Sequence, residues 1–362
     1  MSGRRVGVEE ELFLADPESG DLLPASTRTL RAGSGEAPLL QQELFLEQIE
    51  TATKPCTTLS ELDAELREGR RRAATDAETA GAAIAAVATP VQVVDAMMTQ
   101  KRRYQRMAEH HGVTARENLI CGTHVHVETA DEDEAVTALD RIRPWLPVLL
   151  AVSANSPYWH GSDSGYASFR AQVVSRWPSA GPTEPFGTAA AYHRAVGELI
   201  RTTAALDVGM IYFDARLAAR YPTLEIRIAD VCAETDDTVL IAALARALVE
   251  TTVRETADAP AWRAELLRAA GWQASRWGLS RDLVHPVRRE PRPAAEVLDA
   301  LLEYVGPALD RAGDTGTVQA VLDDLRIRGT GSVRQRAVFA RRSSAADVVL
   351  DAIERTRATY DR

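Results

Sequence analysis

The chain has 362 residues, of which 45% are hydrophobic and 26% are charged, a profile typical of a folded globular protein and not of a disordered one. Its 42 basic and 52 acidic residues give a net charge of -10, which argues against nonspecific nucleic-acid binding. Three widely spaced cysteines indicate neither a disulfide framework nor a zinc knuckle, and no apolar run suits a signal peptide or a membrane span, so we expect a cytoplasmic protein.

The first predicted strand, residues 6–14, carries carboxylates where a strand usually carries apolar side chains. Because side chains alternate across a strand, Glu9 and Glu11 share one face with Phe13, and Glu10 lies on the other face. Like charges on a half-buried sheet repel one another, so such a pair persists mainly where a cation compensates it. An edge strand that carries charge against aggregation is the alternative interpretation.

Turns and helices follow this strand. Residues 16–20 have the composition of a turn, and residues 21–24 are predicted to return as the second arm of a hairpin. Ser60 is the predicted N-cap, with Asp63 as a capping-box variant, of a long helix that continues toward Ala88. The other elements predicted here are a strand at 43–51 and a helix at 100–111 that stops at Gly112.

A second strand with an ionisable face is predicted at residues 118–128. His124, His126 and Glu128 alternate onto one face of it, where two imidazoles beside carboxylates make a good cation site. A single histidine in a core is more often structural, but the His-x-His-x-Glu row favours contact with a metal or a substrate.

A third strand of this kind is predicted at residues 223–230. Its apolar side chains face the core, while Glu225 and Arg227 point the opposite way. Alone, that pattern is typical of a solvated face or a cross-strand ion pair. Three strands with apolar backs and ionisable fronts instead predict a sheet whose concave side is a polar reaction chamber, to which Glu50 adds a further acid.

The remainder of the chain is predicted to be mostly helical. Helical spacing over residues 135–153 is interrupted by Pro144 and Pro147, which imply a kink or a break. Residues 155–187 form a long loop, and its aromatic side chains indicate a functional loop and not a disordered one. Further predictions are a helix at 192–203, a hairpin of 211–217 with 222–230, and helices at 236–253, 261–275, 294–312, 317–328 and 345–358.

Strands come first in this order and helices later. We therefore predict one α+β catalytic domain over residues 1–362, strand-rich over 1–230 and helix-rich over 231–362. Carboxylates and imidazoles without thiolates suit Mg²⁺ or Mn²⁺ better than structural zinc. Such a site can neutralise ATP without a phosphate loop, and the chain contains no G-x-x-x-x-G-K-[S/T] sequence.

Six motifs occur in order along nearly the whole chain. They are residues 7–13, 48–50, 122–126, the loop 155–170, 223–227 and 272–276. Together they resemble the glutamate-cysteine ligase type 2 family, and more narrowly its bacterial carboxylate-amine ligase branch. The resemblance implies a glutamine-synthetase-like antiparallel β-sheet funnel with helices packed on the outside. It also implies ATP and two or three Mg²⁺ or Mn²⁺ ions.

The resemblance further implies roles for individual residues. Arg227 matches a position that contacts ATP phosphate and, with Glu225 and Arg170, is an expected catalytic residue. Arg170 and Arg276 lie in family motifs and are candidates to clamp a carboxylate or phosphate of ATP or substrate, because a guanidinium fork matches either geometry. His126 and Arg334 are further candidates. The positions that match the family's metal ligands are Glu9, Glu11, Glu50, His124 and Glu225.

The implied reaction is ATP-dependent amide-bond formation between small molecules. A carboxylate, glutamate in the name of the family, would attack the γ-phosphate to give an acyl phosphate, which cysteine or another amine then displaces. The alternatives are a metal-dependent amidohydrolase, suggested by His-x-His, and a catalytically silent homologue that binds a nucleotide or amino acid. Neither nucleic acid nor membrane is an expected partner, and a homodimer is expected by analogy.

Overall fold

An antiparallel sheet carries the candidate residues, and the computed structural model describes it within residues 3–33, 40–256, 259 and 261–361. Seven described strands form this sheet in the order β2-β3-β1-β5-β9-β8, with β4 also paired to β1. Every pairing in it is antiparallel. Its strands are β1 (Val6–Ala15), β2 (Leu40–Gln42), β3 (Gln48–Ala52), β4 (Ala83–Ala85), β5 (Gly122–Glu128), β8 (Ala215–Leu217) and β9 (Thr223–Asp230).

Two small hairpins lie outside this sheet. They are β6 (Tyr158–Trp159) with β7 (Ser162–Asp163), and β10 (Asp282–Val284) with β11 (Pro291–Pro293). The α-helices of the described residues are α1 (Ser26–Ala32), α2 (Leu59–Thr79), α3 (Arg102–His111), α4 (Val113–Arg116), α5 (Glu132–Ile142), α6 (Leu146–Ser153), α7 (Phe169–Val174), α8 (Ala189–Arg201), α9 (Thr235–Arg254), α10 (Ala264–Trp277), α11 (Ala294–Ala312), α12 (Thr315–Arg328), α13 (Gly331–Arg342) and α14 (Ala345–Tyr360).

The helices cover one face of the sheet and leave the other face to the candidate site. Val8, Val125 and Ile226 alternate onto the covered face and are nearly inaccessible to solvent, in one apolar cluster with α5, α6 and α9. Burial of this apolar face is the main favourable term that holds the sheet in place. The α+β class predicted from strands followed by helices is therefore confirmed.

Local signals located most helices but misplaced two boundaries around α2. Its N-cap is Thr58, whose hydroxyl accepts a hydrogen bond from the Glu61 amide, while the Glu61 carboxylate accepts one from the Thr58 amide. The predicted cap at Ser60 is therefore wrong. The helix ends at Thr79 and not toward Ala88, because residues 83–85 pair with β1 as a strand. Tertiary pairing overrides the helical propensity of this alanine-rich stretch.

Other predictions are confirmed or extended. Gly112 ends α3 with a positive φ, and Pro144 lies in a short 3-10 helix, Arg143–Trp145, that separates α5 from α6. The long loop contains the β6-β7 hairpin and α7, and α13 was not predicted because its charged sequence lacks an apolar period. Among the described helices, none combines the length and apolarity needed to cross a membrane.

Candidate active site

Neighbouring strands bring the predicted acids and histidines to one place. Glu11 of β1 lies opposite Glu50 of β3, and Glu9 of β1 lies opposite His124 of β5. Residues directly opposed in antiparallel strands project from the same face of the sheet, so these four side chains are close neighbours. Glu225 reaches the same face from β9, where it lies opposite a residue of β5.

The uncovered face of the sheet forms the floor of a large cavity. Its volume is about 1480 Å³, enough for a nucleotide together with small substrates. Helices α3, α7 and α10 contribute side chains to its walls. The predicted site residues that line it are Glu9, Glu11, Glu50, His124, His126, Arg170, Glu225 and Arg227.

Two groups of potential ligand atoms form within this floor. Glu9, His124 and Glu225 make one group, and Glu11, Glu50 and His124 make the other; within each group the ligand atoms lie within 4.8 Å of one another. All five predicted metal ligands are thus brought together, with His124 common to both groups. Carboxylate oxygens with one imidazole nitrogen are a suitable donor set for Mg²⁺ or Mn²⁺.

Negative charge at the floor lacks sufficient compensation from the protein itself. Burial, followed by repulsion from Glu43, raises the pKa of Glu11 to about 7. Burial and the neighbouring acids Glu43, Glu9 and Glu11 raise the pKa of Glu50 well above its usual value. Acids whose ionised forms are this unfavourable are stabilised when a cation binds beside them, which supports a cation site at this position.

His124 is held beside Glu9 in a form that can bind a cation. Burial, together with the charge of Arg227, lowers the pKa of His124 to about 4, so its imidazole is neutral at physiological pH. Burial raises the pKa of Glu9, but hydrogen bonds with His124 and His126 outweigh this effect and hold it below its usual value. A neutral imidazole and an ionised carboxylate are both competent metal ligands.

Glu225 is bound by two arginines of the site. It accepts a hydrogen bond at 2.7 Å from Nε of Arg216 and another from Arg227. Burial raises the pKa of Glu225, but the charges of Arg227 and Arg216 outweigh it and hold the pKa at about 2. Arg227 is thereby fixed next to both ligand groups, where its guanidinium can contact an anion.

Arg170 is a buried cation that forms no ion pair with a described acid. Its guanidinium donates only to the backbone carbonyls of Arg227 and Ile228, at 3.3 and 3.4 Å, and its Nε has no hydrogen-bond partner among the described residues. Burial lowers the pKa of Arg170. A Cβ at Gly122 would lie 2.2 Å from Nη2 of Arg170, so only glycine leaves room for this guanidinium. Such a group is suited to bind a ligand carboxylate or phosphate.

Two of the candidate arginines, Arg276 and Arg334, are not among the described residues that line the cavity. The guanidinium carbon of Arg276 lies 4.1 Å from the ring centroid of Trp277 and also packs near Tyr166, and Arg276 is not among the described residues that line the cavity. Arg334 forms a 2.6 Å ion pair with Glu234. Arg276 thus stacks on aromatic rings outside the described lining of the cavity, and its contact with ATP or substrate stays a prediction.

Among the acids that line the cavity, Glu43 and Asp214 are two that were not predicted as site residues. Glu43 lines the cavity, and burial raises its pKa, with an additional contribution from Glu9. Asp214 lines the cavity wall immediately before β8. Both lie in stretches predicted as strands, 43–51 and 211–217, but outside the strands of the structure, and the only sequence signal for either is an acid next to apolar residues, which is weak by itself.

The structure defines an α+β protein whose antiparallel sheet directs acids, a histidine and arginines toward one cavity. The sequence profile of the glutamate-cysteine ligase family 2 matches residues 5–354. A curated relative from Frankia alni, named "Putative glutamate--cysteine ligase 2-2", is 51% identical over 364 residues, covering 96% of this chain and 95% of the relative. The chain belongs to the glutamate-cysteine ligase family 2, as the motifs predicted.

Solved structures show the same fold at low sequence identity. A bifunctional glutathione synthetase from Pasteurella multocida matches with a TM-score of 0.73 and 15% identity over 99% of this chain, which spans 53% of that longer protein. A glutamate–cysteine ligase from Francisella tularensis, solved in complex with AMP, matches with a TM-score of 0.67 and 13% identity, covering 100% of this chain and 90% of the other. The predicted fold class is confirmed by this likeness.

Proposed function

We propose that this protein is an ATP-dependent carboxylate–amine ligase that requires Mg²⁺ or Mn²⁺ and joins an acid such as glutamate to an amine such as cysteine. One observation carries the proposal: two ligand groups that share His124 lie beside Arg227 and Arg170 in a single cavity. The AMP bound to the Francisella ligase supports a nucleotide as the second ligand.

The cation ligands fit more than one ion. A single imidazole binds one ion through a given nitrogen, so His124 completes one group while carboxylates carry most of the other. Glu43 supplies a further carboxylate in the same cavity. Divalent cations bound there would offset the negative charge that gathers on the phosphoryl oxygens of ATP. This arrangement is consistent with two or three ions.

The proposed reaction has two steps. The carboxylate of the acid attacks the γ-phosphate of ATP, and ADP leaves; the amine then attacks the acyl phosphate, and phosphate leaves with the electrons of the broken bond. Arg227, fixed by Glu225, stabilises the transferring phosphoryl group, and Arg170 holds the carboxylate that attacks it. Oriented donors in a water-poor cavity are effective because they need not reorganise during the reaction.

The amidohydrolase alternative has less support. Enzymes of that class place His-x-His at the carboxyl end of the first strand of a barrel with alternating strands and helices. Here both histidines lie in β5, an inner strand of an antiparallel sheet, between β1 and β9. A silent homologue is also less favoured, because all five predicted ligands converge.

The proposal is tested by measuring ADP and phosphate release with ATP, Mg²⁺ and a panel of carboxylic acids and amines. Release that requires an acid and an amine together supports the ligase. Amide cleavage without ATP would support the hydrolase, and nucleotide binding without turnover across the panel would support the silent homologue.

A further inference from the structure

Asp214 is a carboxylate in the cavity that forms no ion pair with a described residue. It lies two residues before Arg216, whose side chain reaches Glu225 on the cavity floor. None of the described side chains donates a hydrogen bond to its carboxylate or forms an ion pair with it. By contrast, Asp207 on the same wall is paired with Arg103 through two hydrogen bonds of 3.0 Å.

The backbone fixes Asp214 next to the reaction centre. Its carbonyl accepts a 2.9 Å hydrogen bond from the amide of Arg227, and its amide donates at 3.1 Å to the carbonyl of Gly181. The side chain is therefore attached directly across from Arg227, the proposed phosphoryl contact. It is not a member of either ligand group at the floor, so a cation there does not satisfy it.

The surroundings of Asp214 differ from those of the acidic floor. The charged groups that act on it are Arg268 from α10 and Arg170 from α7, and the cavity is also lined by Phe213 and Trp272. Because neither arginine forms an ion pair with Asp214 in the described structure, its carboxylate is free to take one small, positively charged ligand group. An ammonium group has this character, because it donates three hydrogen bonds and carries one charge.

We propose that Asp214 binds the ammonium group of the acceptor amine and removes one proton from it before the amine attacks. This role rests on the proposed ligase function and assigns Asp214 to the second step alone. The reason is chemical: an ammonium ion has no lone pair, so the amine must lose a proton before it can form the amide bond.

The proton and electron balance is as follows. The Asp214 carboxylate takes one proton from R-NH₃⁺, and the lone pair of R-NH₂ forms the C–N bond at the acyl phosphate. The C–O bond to phosphate breaks, and phosphate leaves with that electron pair and takes the second nitrogen proton as HPO₄²⁻. Asp214 then returns its proton to water. Burial, opposed by Arg268 and Arg170, raises the pKa of Asp214 to about 7, which suits a base that works near neutral pH.

The test compares two acceptors in the variant Asp214→Asn. Hydroxylamine is largely uncharged near neutral pH and needs no base, whereas L-cysteine or another α-amino acid arrives as an ammonium ion. With ATP, Mg²⁺ and the carboxylic acid that gives the wild type its highest hydroxamate yield, the variant should form hydroxamate within about 3-fold of wild type. Its amide formation should fall by about 10²-fold, the scale of a lost general base.

The ratio of the two rates does not depend on the fraction of folded protein, so partial misfolding cannot imitate the result. Amide formation by Asp214→Asn should also recover as pH rises and free amine becomes abundant. Asp207→Asn is the matched control, because its carboxylate already has a partner, and its ratio should stay within about 2-fold of wild type.

Several outcomes would overturn this role. If Asp214→Asn loses hydroxamate and amide formation to the same extent, or neither, Asp214 does not act on the amine. If the wild type forms neither hydroxamate nor amide with any acid, the proposed ligase function itself fails, and the role of Asp214 fails with it.

Discussion

The two faces of β1 carry acids in opposite circumstances. On the covered face, Glu10 is fully buried, yet it accepts hydrogen bonds from Nε and Nη2 of Arg70 at 2.9 and 2.7 Å and from Thr238 at 2.8 Å. On the cavity face, Glu11 accepts one at 2.6 Å from the Gly122 amide and faces other acids. Burial of an acid is therefore not the sign of a binding site; the sign is negative charge that the protein leaves without an equal cation.

The largest expected effect is on stability and concerns the covered face of β1. Arg70→Met should lower the free energy of unfolding by about 3–5 kcal/mol, because it leaves the Glu10 charge buried without its partner. Equilibrium unfolding in urea measures this change. The double variant with Glu10→Leu should recover most of the loss, and a single-variant loss below about 1 kcal/mol would contradict a structural pair.

The next effect concerns catalysis on the cavity face. Glu225→Gln should lower the rate of ATP-dependent turnover by at least about 10²-fold, or about 2.7 kcal/mol, because it removes a ligand charge while keeping the side-chain volume. Turnover is measured as ADP release, and the melting temperature should show a folded protein. Glu128→Gln, the same change at an ion pair with Arg5 on the edge of β5, is the control. Wild-type rates in Glu225→Gln would remove Glu225 from the site.

The third prediction concerns cation binding by the acids of the cavity face. Mn²⁺ at about 30 times its dissociation constant should stabilise the wild type by about 2 kcal/mol, and chelation should reverse this. The stabilisation should grow from pH 6 to pH 8, because Glu11, with a pKa of about 7, and Glu50, with a raised pKa, must lose protons before they bind a cation. Thermal unfolding at the two pH values measures the change. A stabilisation that is larger at pH 6 would show that these acids are not the ligands.

The smallest effect has the opposite sign to the first. Without divalent cations, Glu50→Gln should raise the free energy of unfolding by on the order of 1 kcal/mol at pH 8, because it removes a repelled, buried charge. The folded-state pKa of Glu50 is raised, so its ionised form destabilises the fold at high pH, and the gain should shrink at pH 5, where the native carboxyl is protonated. Urea unfolding at both pH values measures it, and a loss of stability at pH 8 would show that Glu50 is already compensated.

Alternation along strands allowed much of the site to be predicted. Glu9, Glu11, His124 and Glu225 were assigned to one face because a strand has a period of two, which depends only on local backbone geometry. The fold class followed in the same way from the order of strands and helices, and Glu50 entered as a further acid on its own strand.

The missed residues depended on contacts distant in sequence. Glu43 and Asp214 fall within the predicted strands 43–51 and 211–217, but in the structure both lie in irregular segments whose direction is set by packing. Residues 83–85 were assigned to a helix because their pairing with β1 is absent from the local pattern. Periodicity describes which side of an element a residue faces, and it does not describe where an irregular segment points.

The ligand groups are assembled from strands that are far apart along the polypeptide. Glu9, Glu50, His124 and Glu225 all contribute, so a ribosome must deliver more than half of the chain before the group that contains Glu225 can form. A nascent or prematurely terminated product that stops before β9 also lacks Arg227. If the proposed function holds, fragments that end before β9 should not turn over ATP, because the site is completed only when this late strand docks between β5 and β8.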